Sequence, residues 1–341
     1  MKMSKSSKIR VVVILAVVIA LYVIPQSPLT TDNTMRIGLL IALYCTLGLM
    51  WNLMAGYTGM VSLGQQIFIG IAGYNVAVFA TTFGLPFWAG MFCGAGISVL
   101  LSVALSFLLF RMKGMYFAIA TWITSEALKI IFTSWEFVNM GGGMTIKLRP
   151  YPDVFELYYI SLTLVIGAFL VVFFVLNSRI GLGLKAMRDD DDASAAMGVN
   201  IFRAKLLCFM ISGFVTGLCG ALFYINQGSI FPGPGFGISW TVAAVFIVII
   251  GGIGTITGPI VGAIIYVFLS EFLSQYQGYS MIILGVIAIA VILGLPYGIV
   301  GTIERKFGFE VLSTRRTMKN LLSGGRANVD YSRGRDLRVS K

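Results

Sequence analysis

Histidine is absent from all 341 residues, which removes the commonest metal ligand and the side chain that most readily exchanges a proton near neutral pH. Charge is scarce as well: 11% of residues are Asp, Glu, Lys or Arg, against 57% hydrophobic. That is too little polar surface to coat a soluble globule of this length, so the chain belongs in lipid, and the mean hydropathy of +0.90 agrees. The sequence has no Gly-x-x-x-x-Gly-Lys-Ser/Thr phosphate loop and cannot hydrolyse ATP by that route. It also lacks a paired-carboxylate motif, and enzyme readings lose most of their support. The four cysteines, Cys45, Cys93, Cys208 and Cys219, all fall in apolar runs and read as small packing residues rather than as disulfides or a metal site.

What the chain has in abundance is long apolar runs. Crossing a ~30 Å hydrocarbon core takes roughly 17–25 residues, and about ten such runs recur, near 9–25, 37–55, 63–84, 87–110, 115–134, 157–177, 206–226, 238–254, 258–274 and 279–296. Backbone polar groups in lipid must be satisfied within each segment, and no apolar-polar alternation suggests a barrel, so all are expected to be helices. The predicted fold is an all-α polytopic bundle of about ten spans, with 8–10 as the range. The basic start before the first run resembles a signal peptide, but no small-x-small site follows it, so retention is expected.

Lys2, Lys5, Lys8 and Arg10, then Arg111 and Lys113, then Arg179, Lys185, Arg188, Arg203 and Lys205, then ten basic residues from Arg305 onward, fall on one side of a ten-span topology. The other side receives Arg36, Lys147 and Arg149. Cytoplasmic loops retain Lys and Arg, so both termini are expected inside. The expected division is a cytoplasmic N-terminus at 1–8, a membrane domain at 9–301 containing a cytoplasmic loop at 178–205, and a basic, disorder-prone tail at 302–341. The net charge of +11 flanks membrane spans and suits anionic lipid headgroups, not nucleic acid.

Three segments depart from plain lipid-spanning helix. Gly56 to Gln66 places small residues and the amides Gln65 and Gln66 at the mouth of a span, where a helix can unwind beside water or protein. The plainer reading is a glycine-rich loop with close helix packing. Ile249 to Pro259 carries Gly251, Gly252, Gly254 and Gly258 before Pro259, which predicts a broken helix or a tight reversal. In the third segment, Lys185 to Gly198, Leu184, Met187 and Ala195 or Ala196 give one face modest apolarity, so a single short surface helix ending at Gly198 is expected. Its four aspartates, Asp189 to Asp192, cannot share one face and form no metal cage. From residues alone, a solvated loop and a docking helix are equally good readings. Within the fifth run, Glu126 and Lys129 stand i,i+3 apart. The cost of charge in lipid makes them an internal ion pair, a snorkelling lysine, or a contact to substrate or gate.

Together these segments resemble the permease subunits of branched-chain amino-acid (Liv-type) ABC importers, especially the M-type subunit, over roughly residues 37–301. The resemblance is carried by Gly56-Tyr57-Thr58-Gly59 through Ser62-Leu63-Gly64, Tyr116-Phe117-Ala118 through Glu126 to Gly141-Gly142-Gly143, Gly183 through Lys205-Leu206-Leu207, Gly217 through Leu222, and Gly251-Gly252 through Gly258-Pro259. It implies that the stretch with Lys185, Arg188, Asp189, Asp190, Asp192, Ala193 and Gly198 is a coupling helix seated in a cleft of an ATPase subunit, acting as a rigid lever. It also implies a second homologous permease, two ATP-binding subunits holding ATP and Mg, and a periplasmic or lipid-anchored binding protein. The chain departs from the family at Gly64-Gln65-Gln66, where Gly-His-Ala is usual, at Ala72-Gly73-Tyr74, where Gly-Ala-Tyr is usual, and at Gly141-Gly142-Gly143, where a Thr-Gly-Gly region is usual. Gln65 keeps hydrogen-bonding capacity but cannot titrate.

The expected function is half of a translocation pathway for branched-chain or related small amino acids in a bacterial or archaeal inner membrane. Ser62, Gln65, Gln66 and Glu126 are the expected pathway residues, and Gly251, Gly252 and Gly254 the bendable backbone. No catalytic or metal site and no cofactor in this chain are expected. Urea or short amides are the alternative cargo. A stand-alone secondary transporter or channel is the rival class; it calls for midplane ionisable groups, and the only candidates, Glu126, Lys129 and Glu271, all fall near the ends of their expected spans, Glu126 and Lys129 toward the outer end of the fifth.

Overall fold

The computed structural model describes residue 16, residues 18–23, residue 25 and residues 30–276, 279–295 and 297–307. Among these the apolar runs become helices α1 (Asp32–Thr58), α2 (Gln66–Thr81), α3 (Phe87–Leu109), α4 (Met115–Ser134) and α5 (Val154–Asn177). Two short surface helices follow, α6 (Arg179–Asp189) and α7 (Asp191–Ala196), then α8 (Ile201–Gln227) and the single turn α9 (Pro232–Gly235). The series closes with α10 (Ser239–Gly251), α11 (Gly258–Leu273), α12 (Ser280–Gly294) and α13 (Gly298–Phe307). Among the described residues the strands amount to one two-residue antiparallel ladder, β1 (Met144–Thr145) on β2 (Ser229–Ile230).

The fold is an all-α bundle, and nine of the ten expected spans coincide with apolar helices. The expected first span, 9–25, is described only at residues 16, 18–23 and 25, of which 16 and 18–23 are helical, and most of the tail lies outside the described residues. Among the described residues seven helical stretches are long and apolar enough to cross a membrane, while Gln66–Thr81 and Gly258–Leu273 are shorter. Both short helices follow a glycine-rich break. At ~1.5 Å per residue, the 16 residues of α2 reach only about 24 Å, short of the ~30 Å hydrocarbon core.

Lipid offers no hydrophobic drive for helices to associate, so close packing through small residues must hold them together. The α2, α3 and α8 trio is built that way. A β-carbon on Gly94 would stand 2.8 Å from the Ala72 Cα, one on Gly90 2.9 Å from the Val76 Cα, and one on Gly220 2.5 Å from the Ile69 Cα. α1 passes through the middle and packs against α5, α8, α10 and α11. Every residue of α1 from Cys45 to Thr58 is buried. Three of the four cysteines are buried packing residues, and Cys219 donates to the Leu43 carbonyl at 3.2 Å.

α4 is different. Only Phe117, Ala118, Thr121 and Ser125 are buried, a narrow stripe of i, i+4, i+8 spacing, and most of the remaining circumference is exposed. Tyr22, from helical residues 18–23, anchors to α5 through a 2.7 Å hydrogen bond with Thr163 and a stacked contact with Tyr159.

Candidate functional site

α1 stops at Gly59, whose φ of +74° suits glycine. The chain then runs without helix to Gln65. Its polar backbone is satisfied from neighbouring helices: Trp51 Nε1 donates to the Ser62 carbonyl at 2.9 Å, and the Leu63 amide donates to Thr121 Oγ1 of α4 at 3.0 Å. Inside a membrane such a break persists only where protein or water meets the freed groups.

The amides expected in the pathway are placed differently from their neighbours on α4. Gln65 and Gln66 are fully buried and Ser62 nearly so. Gln65 Nε2 donates to Ser212 Oγ at 3.2 Å, and Thr216 Oγ1 donates to Gln65 Oε1 at 3.3 Å. Gln66 Nε2 donates to the Leu63 carbonyl at 2.9 Å, and Thr241 Oγ1 donates to Gln66 Oε1. In this conformation these side chains join α2 to α8 and α10. Glu126 remains one-third exposed and pairs with Lys129.

The second break is a tight reversal. α10 ends at Gly251, Gly252 and Gly254 take positive φ (+124° and +77°), and α11 starts with Gly258-Pro259. Asn52 of α1 ties this loop down with both ends of its amide: Nδ2 donates to the Thr255 carbonyl at 2.7 Å, and Oδ1 accepts from the Gly254 amide at 2.9 Å. The last turn of α1, which leads into the first break, touches the second, since a β-carbon on Gly56 would lie 2.8 Å from the Gly254 amide nitrogen. Asn52 was not singled out from sequence. A lone amide in an apolar run is the signal that could have found it.

The segment expected at the cytoplasmic surface corrects the expectation of one helix. Asp190 leaves helical geometry (φ −158°, ψ 116°) and its side chain caps α7 by accepting from the Asp192 and Ala193 amides at 2.8 and 3.1 Å. Capping is what aspartate does best near a helix start, so the acidic run splits the segment into α6 and α7. Leu184 and Met187 face inward as expected, but Ser194 is the buried residue of α7, while Ala195 and Ala196 are exposed. α7 ends at Ala196, and Gly198 takes the left-handed conformation just beyond it (φ +85°).

These short helices reach both breaks. The Arg188 backbone lies against Gly59, with its Cα 3.6 Å from where a β-carbon would stand. The Arg188 guanidinium reaches Gly254, with Nη1 2.6 Å from the corresponding position there. α7 is tied to the start of α8 by Lys205 and Asp191, and to the turn before α4 by Lys113 and Asp192 at 3.3 Å. Thr58, Gly59, Gly114, Arg188, Asp190 and Lys205 are among the residues around a polar cavity of about 340 Å³ at this end of the bundle. Ala193 is exposed, and the side chain of Asp189 lies outside the described residues.

Residues 33–292 match the family described as "Branched-chain amino acid transport system / permease component". The chain belongs to that family. The permease is similar to the high-affinity branched-chain amino acid transport system permease protein LivM of Escherichia coli (strain K12), 27% identical over 304 residues that cover 80% of this chain and 71% of that one. It is also similar to the probable branched-chain amino acid transport permease protein LivH of Methanocaldococcus jannaschii, at 26% identity over 62% of this chain and 65% of the relative. BraD of Pseudomonas aeruginosa, a high-affinity branched-chain amino acid transport system permease protein, is 30% identical over 43% of this chain and 49% of its own length. No solved structure matches. Family and apolar helices together make the permease a multi-pass inner-membrane protein of an ABC transport system.

Proposed function

We propose that this permease forms half of the translocation pathway of an ATP-driven importer for branched-chain or related small amino acids. Its partners in this reading are a second homologous permease, two ATP-binding subunits that hold ATP and Mg, and a periplasmic or lipid-anchored binding protein. The basic end of the bundle faces the cytoplasm, where Lys and Arg are retained and meet anionic headgroups.

The observation that carries the reading is the position of Arg188, whose backbone contacts the first break and whose guanidinium contacts the second. A force applied to α6 and α7 from the cytoplasm reaches both glycine-hinged segments through one residue. Lys113–Asp192 and Lys205–Asp191 spread the same force to α4 and α8. Packed elements with two discrete arrangements respond to such pushes by rigid-body shifts. Lys185, Arg188, Asp189, Asp190, Asp192, Ala193 and Gly198 are therefore assigned to docking and coupling, and Gly251, Gly252 and Gly254 to the hinge. Gln65 and Gln66 reach the pathway only when α2 separates from α8 and α10, because their bonds across those interfaces hold them in the closed arrangement; Ser62 is assigned to the pathway with them, within the first break.

Co-purification from detergent-solubilised membranes tests the docking assignment. Wild-type permease is expected to retain ATP-binding subunits, whereas Arg188→Glu combined with Gly198→Pro is expected to insert at normal levels and lose them. Equal retention by the two would remove α6 and α7 from the interface.

A further inference from the structure

Among the described residues, Glu126 is the one Asp, Glu, Lys or Arg set more than two turns from both ends of an apolar spanning helix. At ~1.5 Å per residue, it lies about 16 Å from the Met115 end of α4 and about 12 Å from the Ser134 end, well inside the apolar helix. It pairs with Lys129, and each side chain keeps about one-third of its surface exposed (33% and 32%). A charged pair open to hydrocarbon is costly, so the face that carries it meets water or protein. Two features of α4 agree. Its buried stripe bonds to irregular backbone, through Thr121 to the Leu63 amide and through Ser125 to the Phe236 carbonyl at 3.2 Å, and irregular backbone at membrane depth accompanies cavities. The exposed face is also amphiphilic: Ile119, Trp122, Ile123 and Ile130 flank the pair within a turn or two.

We infer that the Glu126–Lys129 pair is a binding station for the zwitterionic head group of an α-amino acid. The site offers one carboxylate and one ammonium, the complements of the substrate's own two charges. As substrate arrives, the internal ion pair opens, Glu126 accepts from the α-ammonium and Lys129 donates to the α-carboxylate. One ion pair becomes two, and no net charge is added to the membrane interior. The apolar flank receives the side chain. The Arg36–Glu271 pair, by contrast, joins the ends of α1 and α11 and reads as a clamp. This inference rests on the amino-acid permease reading and extends it to a substrate contact on α4.

The test is uptake of radiolabelled leucine by the complete importer with its binding protein, normalised to the amount of assembled complex. The variants are Glu126→Gln, Lys129→Gln and the double Glu126→Gln/Lys129→Gln. A structural ion pair and a substrate site part company in the double variant, because removing both partners leaves no unpaired charge behind. A binding station predicts that all three lose at least about tenfold of uptake, the double as deeply as either single, since each charge holds one substrate group. Recovery of uptake in the double variant overturns the inference and leaves the permease reading intact. A wild-type complex that assembles but moves no α-amino acid overturns both.

Discussion

Arg188→Glu is expected to lower substrate uptake by the assembled transporter about tenfold or more while leaving insertion and helix content unchanged. Coupling between two sites typically amounts to a 5–150-fold effect, and this substitution attacks the contact through which both breaks are reached. The glutamate is shorter than arginine and of opposite charge, so it cannot span to Gly254, and it reverses the charge at that edge of the polar cavity. Arg188→Lys preserves charge but not the planar fork, and its uptake is expected to fall between those of wild type and Arg188→Glu. Equal uptake in all three would show that force does not pass through this residue.

Gly262→Ala is expected to produce the largest loss of stability. A β-carbon there lands on the backbone carbonyl of Ile247, where α11 crosses α10, and backbone cannot step aside as a flexible side chain can. Overpacking of this kind costs about 1–3 kcal/mol and sometimes more, enough to lower the thermal midpoint of the detergent-solubilised permease and the fraction that elutes as a single species. Gly96→Ala is the control, since its β-carbon meets nothing within 4 Å. Helix propensity alone gives that change a gain of up to about 1 kcal/mol, so the two alanines should shift the midpoint in opposite directions. Matching shifts would mean that α10 and α11 are not packed at this distance.

The spans were legible in the sequence because lipid imposes one requirement on all of them, an apolar run with an internally satisfied backbone. The second break was legible for an equally local reason: Gly251, Gly252, Gly254 and Pro259 each restrict or free the backbone at their own position. What stayed hidden depends on distant partners. Gln65 and Gln66 look like pathway amides from their place at a helix mouth, yet Ser212, Thr216 and Thr241, which bond to them here, lie some 150 or more positions away. Asn52 clips a loop about 200 positions downstream, and nothing local announces that. The split between α6 and α7 was hidden for a different reason: four consecutive aspartates look equivalent, and only the capping geometry at Asp190 distinguishes one of them.

Reconstitution decides the central claim most directly. Leucine uptake would be compared in proteoliposomes holding the permease alone and in proteoliposomes holding it with the second permease, the ATP-binding subunits and loaded binding protein, each with and without ATP on the cytoplasmic side. A subunit whose hinges are driven through α6 and α7 predicts uptake only by the complete set and only with ATP. Leucine movement through the permease alone, indifferent to ATP, would contradict that account and make the chain a carrier in its own right.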